Sequence, residues 1–389
     1  MTRFRPTVVE VDLDAVRHNV RVLKPPVAEL LAVVKGDGYG HGEVPVARAA
    51  LEAGASRLGV ALVEEGLQLR DNGISAPIQV LSEFPPGSER EALAAGLTPS
   101  VYTPEGLAGL AEAAEALDRP VGVHLKLDTG MHRVGLWPPA EAPAFARKIL
   151  RSGLLLEGLW THFAAAEDDR EATRAQLRLL LDARDALARG GFEPALVHAA
   201  NSAATIGLPE THLDLVRPGV ALYGLDPGNG LGPGAGLRPA LTWRSSVSMV
   251  KRLPAGERVS YGWRYELERD ATVATVPVGY EDGYRRELGG HADVLIGGRR
   301  RRVAGVVTMD QLVVDCGDAD VAPGDEVVLV GGQGDERITA EELAGHTRTI
   351  GYEVVTSIGA RVPREYRGVR GAQEASANAR ALAPRGQIS

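Results

Sequence analysis

The chain has 389 residues, 44% hydrophobic and 5% aromatic, which is enough to bury a large core and too much for one ordinary compact domain. Its 43 basic and 51 acidic side chains leave a net charge of −8, so no nucleic-acid partner is expected. Cys316 is the only cysteine, which excludes an internal disulfide and a cysteine-rich metal site, and no metal is expected. The run Val8–Asp12 opens the chain as a strand, with a helix over Leu13–Leu23 behind it. The N-terminus has no apolar signal core, and no apolar run approaches the roughly 20 residues that span a bilayer. A soluble cytoplasmic protein with no membrane partner is the expectation.

From there to about residue 225, short apolar runs alternate with segments of helical period. The runs Leu30–Lys35, Arg57–Val63, Pro77–Leu81, Thr98–Tyr102, Val121–Leu127, Leu155–Phe163, Ala195–Asn201 and Leu213–Arg217 predict strands. Helices are predicted between them, among them Glu43–Ala53, Pro104–Leu117 and Glu171–Ala188. Pro104 suits the first helical position, with Thr103 as its cap. Eight such units in series point to a (β/α)₈ TIM-type barrel, which needs about 250 residues.

The Gly/Pro-rich stretch from Asp226 to Gly236 can continue neither helix nor sheet. Beyond it come closely spaced strand-like runs: Leu241–Leu253, Thr272–Val278, Asp293–Ile296, Arg302–Met309, Leu312–Asp315 and Glu326–Val330. They predict a mostly antiparallel second domain. The basic run Arg299–Arg302 reads as a solvated hairpin. The expected organisation is therefore a barrel over 10–236 and a β-rich domain over 237–368. The segment 1–9 is expected to join that second domain, and 369–389 to be a disordered tail.

In a barrel of this kind, reacting groups sit where strands end and βα loops begin. Lys35 ends the first predicted strand, and Lys126-Leu-Asp128-Thr-Gly-Met-His-Arg133 ends the fifth. Thr161-His162-Phe ends the sixth, His198-Ala-Ala-Asn201-Ser202 the seventh and Arg217-Pro-Gly219 the eighth. One lysine after Leu-Leu-Ala-Val-Val could simply extend its amine to solvent. Five chemically unusual strand ends on one rim are harder to dismiss. The glycines at 36, 38, 40 and 42 would let a ligand approach the backbone, though a tight turn alone could explain them.

The segment Val34-Lys35-Gly-Asp-Gly-Tyr39-Gly-His41-Gly resembles the cofactor-lysine motif of the alanine racemases. The resemblance continues, in family order, through the strand-end motifs above and Val220-Ala-Leu-Tyr-Gly. It then takes in Val259-Ser-Tyr261-Gly, Val278-Gly-Tyr280-Glu-Asp-Gly-Tyr284, Met309-Asp310-Gln, Gly351-Tyr352-Glu and Arg361-Val-Pro-Arg364. It spans residues from roughly 8 to 366 and implies pyridoxal 5′-phosphate-dependent interconversion of L- and D-alanine. On this basis Lys35 would carry the cofactor as a Schiff base and act as one base, with Tyr261 serving the opposite face. Racemisation needs two such groups, or one mobile base. Arg217 would face the pyridine nitrogen, and because an arginine does not readily give up its proton the ring would be a weaker electron sink.

The same resemblance implies that Tyr39, Asn201, Ser202, Tyr352 and the backbone of Gly219 and Val220 hold the cofactor, mainly at its phosphate. His162 would orient Arg217. Arg133 and the backbone N–H of Met309 would bind the substrate carboxylate, Asp310 would order the site, and Tyr280 and Tyr352 would narrow access to it. Lys126 matches a position that is carbamylated in some members. A head-to-tail homodimer with shared sites is implied as well. Departures from the family pattern are Gly36 and Gly38 in place of alanines, which are expected to loosen the loop, the bulky Trp160, and Ala360 in place of a tyrosine. A broader amino-acid racemase, or a non-catalytic pyridoxal phosphate carrier, are the alternative readings. A carrier would need neither Tyr261 nor Met309-Asp310.

Overall fold

A computed structural model of the chain describes residues 4–117 and 119–370, so the expected tail from 371 onward lies outside the described residues. Two compact units are present. One comprises Ala15–Gly38 and Val46–Arg238; the other gathers, among the described residues, those up to Asp14, Tyr39–Pro45 and those from Pro239 to Arg370.

The first unit is a parallel barrel. Its sheet runs Leu97–Thr98, Ile78–Val80, Arg57–Val60, Glu29–Val33, Leu215–Val216, Leu196–His198, Leu155–Trp160, Gly122–Lys126 and Ser100–Val101. The two outermost members are halves of the one predicted run Thr98–Tyr102, divided at Pro99. Proline has no N–H to give a ladder, so the strand breaks there, while the Pro99 carbonyl still accepts from His124 N at 2.9 Å. Each half pairs with a different neighbour, and through this bend the sheet closes on itself.

The strands are near-continuous apolar runs because both faces are covered. Leu30, Leu31, Ala32, Leu58, Ile78, Val123, Leu125 and Leu159 are fully buried. Helices begin where the sequence supplies caps. Thr103 accepts from Gly106 N ahead of Pro104–Glu115, and Asp169 accepts from Ala172 N ahead of Arg170–Arg189. Each such cap is worth about 1 kcal/mol.

The second unit is built on a ten-stranded sheet whose pairs are antiparallel, apart from Val8–Asp12 beside Arg364–Arg367. Val8–Asp12 also pairs antiparallel with Leu241–Ser246, with Val9 opposite Trp243. The long run predicted over Leu241–Leu253 is two strands, Leu241–Ser246 and Met249–Leu253. The basic run forms one arm of the hairpin expected of it, with Arg299, Arg300 and Arg302 exposed. Arg299–Val303 is a strand paired with Asp293–Ile296, and the turn between them is Gly297-Gly298, both at positive φ. Charge complementarity makes this tolerable: Arg302 meets Asp293 at 3.0 Å, and Arg300 meets Glu336 at 3.0 Å and Glu342 at 2.6 Å. Val259, Leu267, Ala271, Val273 and Ala304 form a compact apolar cluster in this unit.

Candidate active site

In the barrel, the strand ends that carry Lys35, Lys126, His198 and Arg217 come together. Lys35 follows the buried strand Glu29–Val33, and the chain then turns with left-handed geometry. Gly36, Asp37, Gly38, Tyr39 and Gly40 all have φ between 51° and 78°. L-residues pay about 1–2 kcal/mol each for that conformation, whereas glycine adopts it without a Cβ clash. Gly36 and Gly38 therefore relieve strain here. Gly36 N donates to Glu65 Oε1 at 2.7 Å, anchoring the turn.

Burial, the Arg133 charge and the opposing pull of Glu65 together leave the Lys35 amine below its ordinary pKa. Lys126 is lowered further, to about 7, by burial first and then by Arg133, Arg217 and Lys35. Its Nζ lies over the Trp160 ring, 4.3 Å from the centroid. The loop behind it is pinned by Asp128, whose Oδ1 accepts from Gly130 N at 2.9 Å and His132 N at 3.0 Å. Arg133 is exposed at the end of this loop.

Arg217 is buried and held through three of its N–H groups. Nη2 donates to the carbonyls of Thr161 at 2.7 Å and Ala199 at 2.9 Å, and Nη1 to Nδ1 of His198 at 2.7 Å. The imidazole that orients Arg217 is therefore His198, which corrects the expectation placed on His162. The two histidines end adjacent strands, and barrel stagger decides which one faces the guanidinium. Burial lowers Arg217 to about 9. It also holds His162 well below the usual histidine value, helped by Arg217, Lys126, Arg133 and Lys35. Trp160 is the hub of this group: its ring stacks on His198 at 5.5 Å and 4°, with the Arg217 guanidinium 4.7 Å from its centroid.

Beside Arg217, Asn201 caps Ser202–Gly207 by accepting from Ala204 N at 3.0 Å. Ser202 Oγ accepts from Gly219 N at 2.9 Å and Ala221 N at 3.3 Å, which brackets Val220 and gathers a small cluster of backbone donors.

The second unit carries the other expected residues. Tyr261 is 71% exposed. It is held out on a turn in which Ser260, Gly262 and Trp263 all have positive φ. Ser260 Oγ ties that turn down by donating to Val306 O at 2.6 Å. Tyr280, Met309 and Asp310 come together: Tyr280 N donates to Thr308 O, and Glu281 N to Met309 O. Arg361 joins them by bonding Asp310 at 2.9 Å and the buried Asp282 at 2.7 Å. Tyr352 lies on Gly351–Thr356, edge-on to Tyr39 with 6.5 Å between ring centroids.

Sequence reasoning missed His198, His124 and Glu157 as functional candidates. His198 ends its strand three residues before the Asn201-Ser202 pair, and that position was the available signal. His124 and Glu157 lie within strands, where nothing local distinguishes them from packing residues.

Comparison with known proteins agrees with this geometry. The family models "Alanine racemase, N-terminal domain" and "Alanine racemase, C-terminal domain" match residues 11–227 and 240–366. The chain is 50% identical to an alanine racemase of Symbiobacterium thermophilum, covering 94% of this chain and 98% of that protein. It is 45% identical to one from Salinispora arenicola, over 93% and 98%. Among solved structures it is similar to the alanine racemase of D-cycloserine-producing Streptomyces lavendulae, with a TM-score of 0.91 and 44% identity over 95% of this chain and 99% of that one. The alanine racemase from Bacillus anthracis with bound L-Ala-P gives 0.88 and 38%, over 94% and 96%. With both domain models and such relatives matched along nearly its whole length, the chain belongs to the alanine racemase family and is an isomerase.

Proposed function

We propose that this isomerase racemises L- and D-alanine with pyridoxal 5′-phosphate held on Lys35, and with Lys35 and Tyr261 as the bases for the two faces. The observation that carries this reading is the charge of the barrel rim. Lys35, Lys126, Arg133 and Arg217 act on one another there, against the carboxylates of Glu65 and Asp128. Such a rim suits an anionic ligand with a phosphate and a phenolate, and the donor set fits the cofactor. Ser202 and the backbone N–H groups of Gly219 and Val220 would take its phosphate with Tyr39 and Tyr352, and Asn201 would shape that pocket. Arg217 would meet the ring nitrogen as a hydrogen-bond donor, and His162 would line the site. When bound, the cofactor supplies the electron sink that makes the α-proton of alanine acidic.

The chain's own residues would do the rest. Burial and the Arg133 charge hold the Lys35 amine below its ordinary pKa, a shift in the direction that a base for one α-proton needs. Tyr261 would hold or return the proton at its phenolic oxygen on the other face. Arg133 and the Met309 N–H would grip the carboxylate, while Asp310, fixed by Arg361, would order that region. Tyr280 and Tyr352 would limit the side chain to little more than a methyl group, favouring alanine over a broader substrate range. Lys126 would be carbamylated, and carbamate formation needs the neutral amine that a pKa of about 7 provides. A homodimer in which each site combines Lys35 of one chain with Tyr261 of the other, acting in the cytoplasm, completes the proposal. Among the described residues no helix is long and apolar enough to cross a membrane.

Borohydride reduction tests the attachment. The reduced protein should carry the cofactor on the peptide containing Lys35, and a label mapped to any other lysine would reject the assignment.

A further inference from the structure

Behind Arg217, a line of polar groups runs through the barrel core. His198 Nδ1 meets Arg217 Nη1 at 2.7 Å, and His198 Nε2 meets His124 Nδ1 at 2.9 Å. His124 Nε2 then faces Glu157 Oε1 at 3.7 Å, beyond a hydrogen bond but inside ion-pair range. Both rings are fully buried, while Glu157 is 31% exposed in its side chain. Glu157 also accepts from Arg57 Nη1 at 3.0 Å. Glu157 and Arg57 line an open cleft of about 710 Å³ with Arg70 and Thr98. Arg57 begins its strand, so this cleft lies at the barrel end opposite the catalytic rim.

The chemistry fixes every proton in this line. Guanidinium only donates, so His198 Nδ1 must accept and its proton sits on Nε2. That N–H must donate to His124 Nδ1, which places the His124 proton on Nε2, facing the carboxylate. Each neutral imidazole thus turns its lone pair toward Arg217 and its N–H toward Glu157, so both ring dipoles align between cation and anion. Burial lowers the pKa of both rings, in keeping with their neutrality.

The barrel also makes room for this line. A Cβ at Gly158 would come within 2.3 Å of His124 Nδ1, and one at Gly122 within 2.4 Å of Glu157 Oε2. The strand register is shifted between Val123 and His124, next to this contact. Trp160 supports the upper ring by stacking on His198.

We propose that His124 and Glu157 are positioning residues that hold Arg217 fixed and cationic from the far end of the barrel, through the tautomer of His198. As far as catalysis is concerned, this rests on the cofactor reading above; the proton arrangement itself does not.

The test therefore has two parts. Spectra of ¹⁵N-histidine-labelled protein without cofactor, assigned with His124→Gln, should show His124 and His198 as neutral Nε2–H tautomers from about pH 6 to 8. An imidazolium or an Nδ1–H tautomer at either position overturns the proposal. In the second part, pyridoxal phosphate affinity is read by fluorescence titration. His124→Leu, which leaves the buried His198 N–H without an acceptor, should weaken it about tenfold, and Glu157→Gln, which removes the charge facing His124 across 3.7 Å, about threefold. His124→Gln should recover most of the loss, because its carboxamide oxygen can accept from His198. Affinities within twofold of the parent for both Glu157→Gln and His124→Leu overturn the proposal. If His124→Leu does not fold, Glu157→Gln, at the solvent-facing end, decides. A parent protein that takes up no cofactor would sink the proposed function instead, and the tautomer spectra would still judge the relay.

Discussion

At the scale of single residues, the barrel rim works by crowding cations where water is scarce. Arg217 has both its terminal nitrogens engaged and a tryptophan face beneath it, so it is a fixed donor rather than a mobile charge. Lys126 shares that tryptophan and pays for its neighbours in basicity. Its ordinary pKa of 10.5 falls to about 7 in the fold, so between those values the unfolded chain binds the extra proton. The Lys126 contribution to stability therefore rises with pH across that window and is least favourable below it. Carbamate formation joins the neutral amine to carbon dioxide and releases a proton, so its occupancy should climb as pH rises through about 7. ¹³C spectra of protein equilibrated with labelled bicarbonate check this, and a signal from Lys126 that is flat from pH 6 to 8 would contradict it.

At the scale of elements, the sequence marks strand ends well and the paths between them less well. Lys35, Lys126, Thr161, His198 and Arg217 could be placed on one rim because each follows an apolar run, and a barrel gathers such ends. The choice of His198 over His162 as partner of Arg217 was not legible, since it depends on the stagger of neighbouring strands. The break at Pro99 was hidden for a related reason, whereas the Arg299–Arg302 run was legible as a hairpin. A proline's effect depends on which neighbours need its N–H. The left-handed turn after Lys35 was visible as a glycine pattern but not as a geometry. With φ at 65° and no atom within 4 Å of an added Cβ, Gly36 isolates the backbone cost. Gly36→Ala should lower stability by about 1 kcal/mol, seen as a reduced urea midpoint at unchanged slope. An unchanged midpoint would mean that the turn is not held in this conformation.

At the scale of the whole molecule, the expected chemistry is divided between two units. Lys35 and Arg217 belong to the barrel, and Tyr261, Met309 and Asp310 to the β-rich unit. If sites are shared between subunits, inactive Lys35→Ala and Tyr261→Phe proteins mixed under conditions of subunit exchange should regain activity, approaching one intact site in each hybrid dimer. Absence of any recovery in hybrids shown to form would place both residues in one chain. The central claim, that the two residues serve opposite faces of one substrate, is tested most directly by polarimetry. The purified chain with pyridoxal phosphate should bring pure L-alanine and pure D-alanine to the same racemic endpoint. Lys35→Ala and Tyr261→Phe should each slow both directions by roughly 10²-fold or more, the scale of a lost acid–base group. No racemisation by the parent chain, or full rates in Tyr261→Phe, would contradict the account.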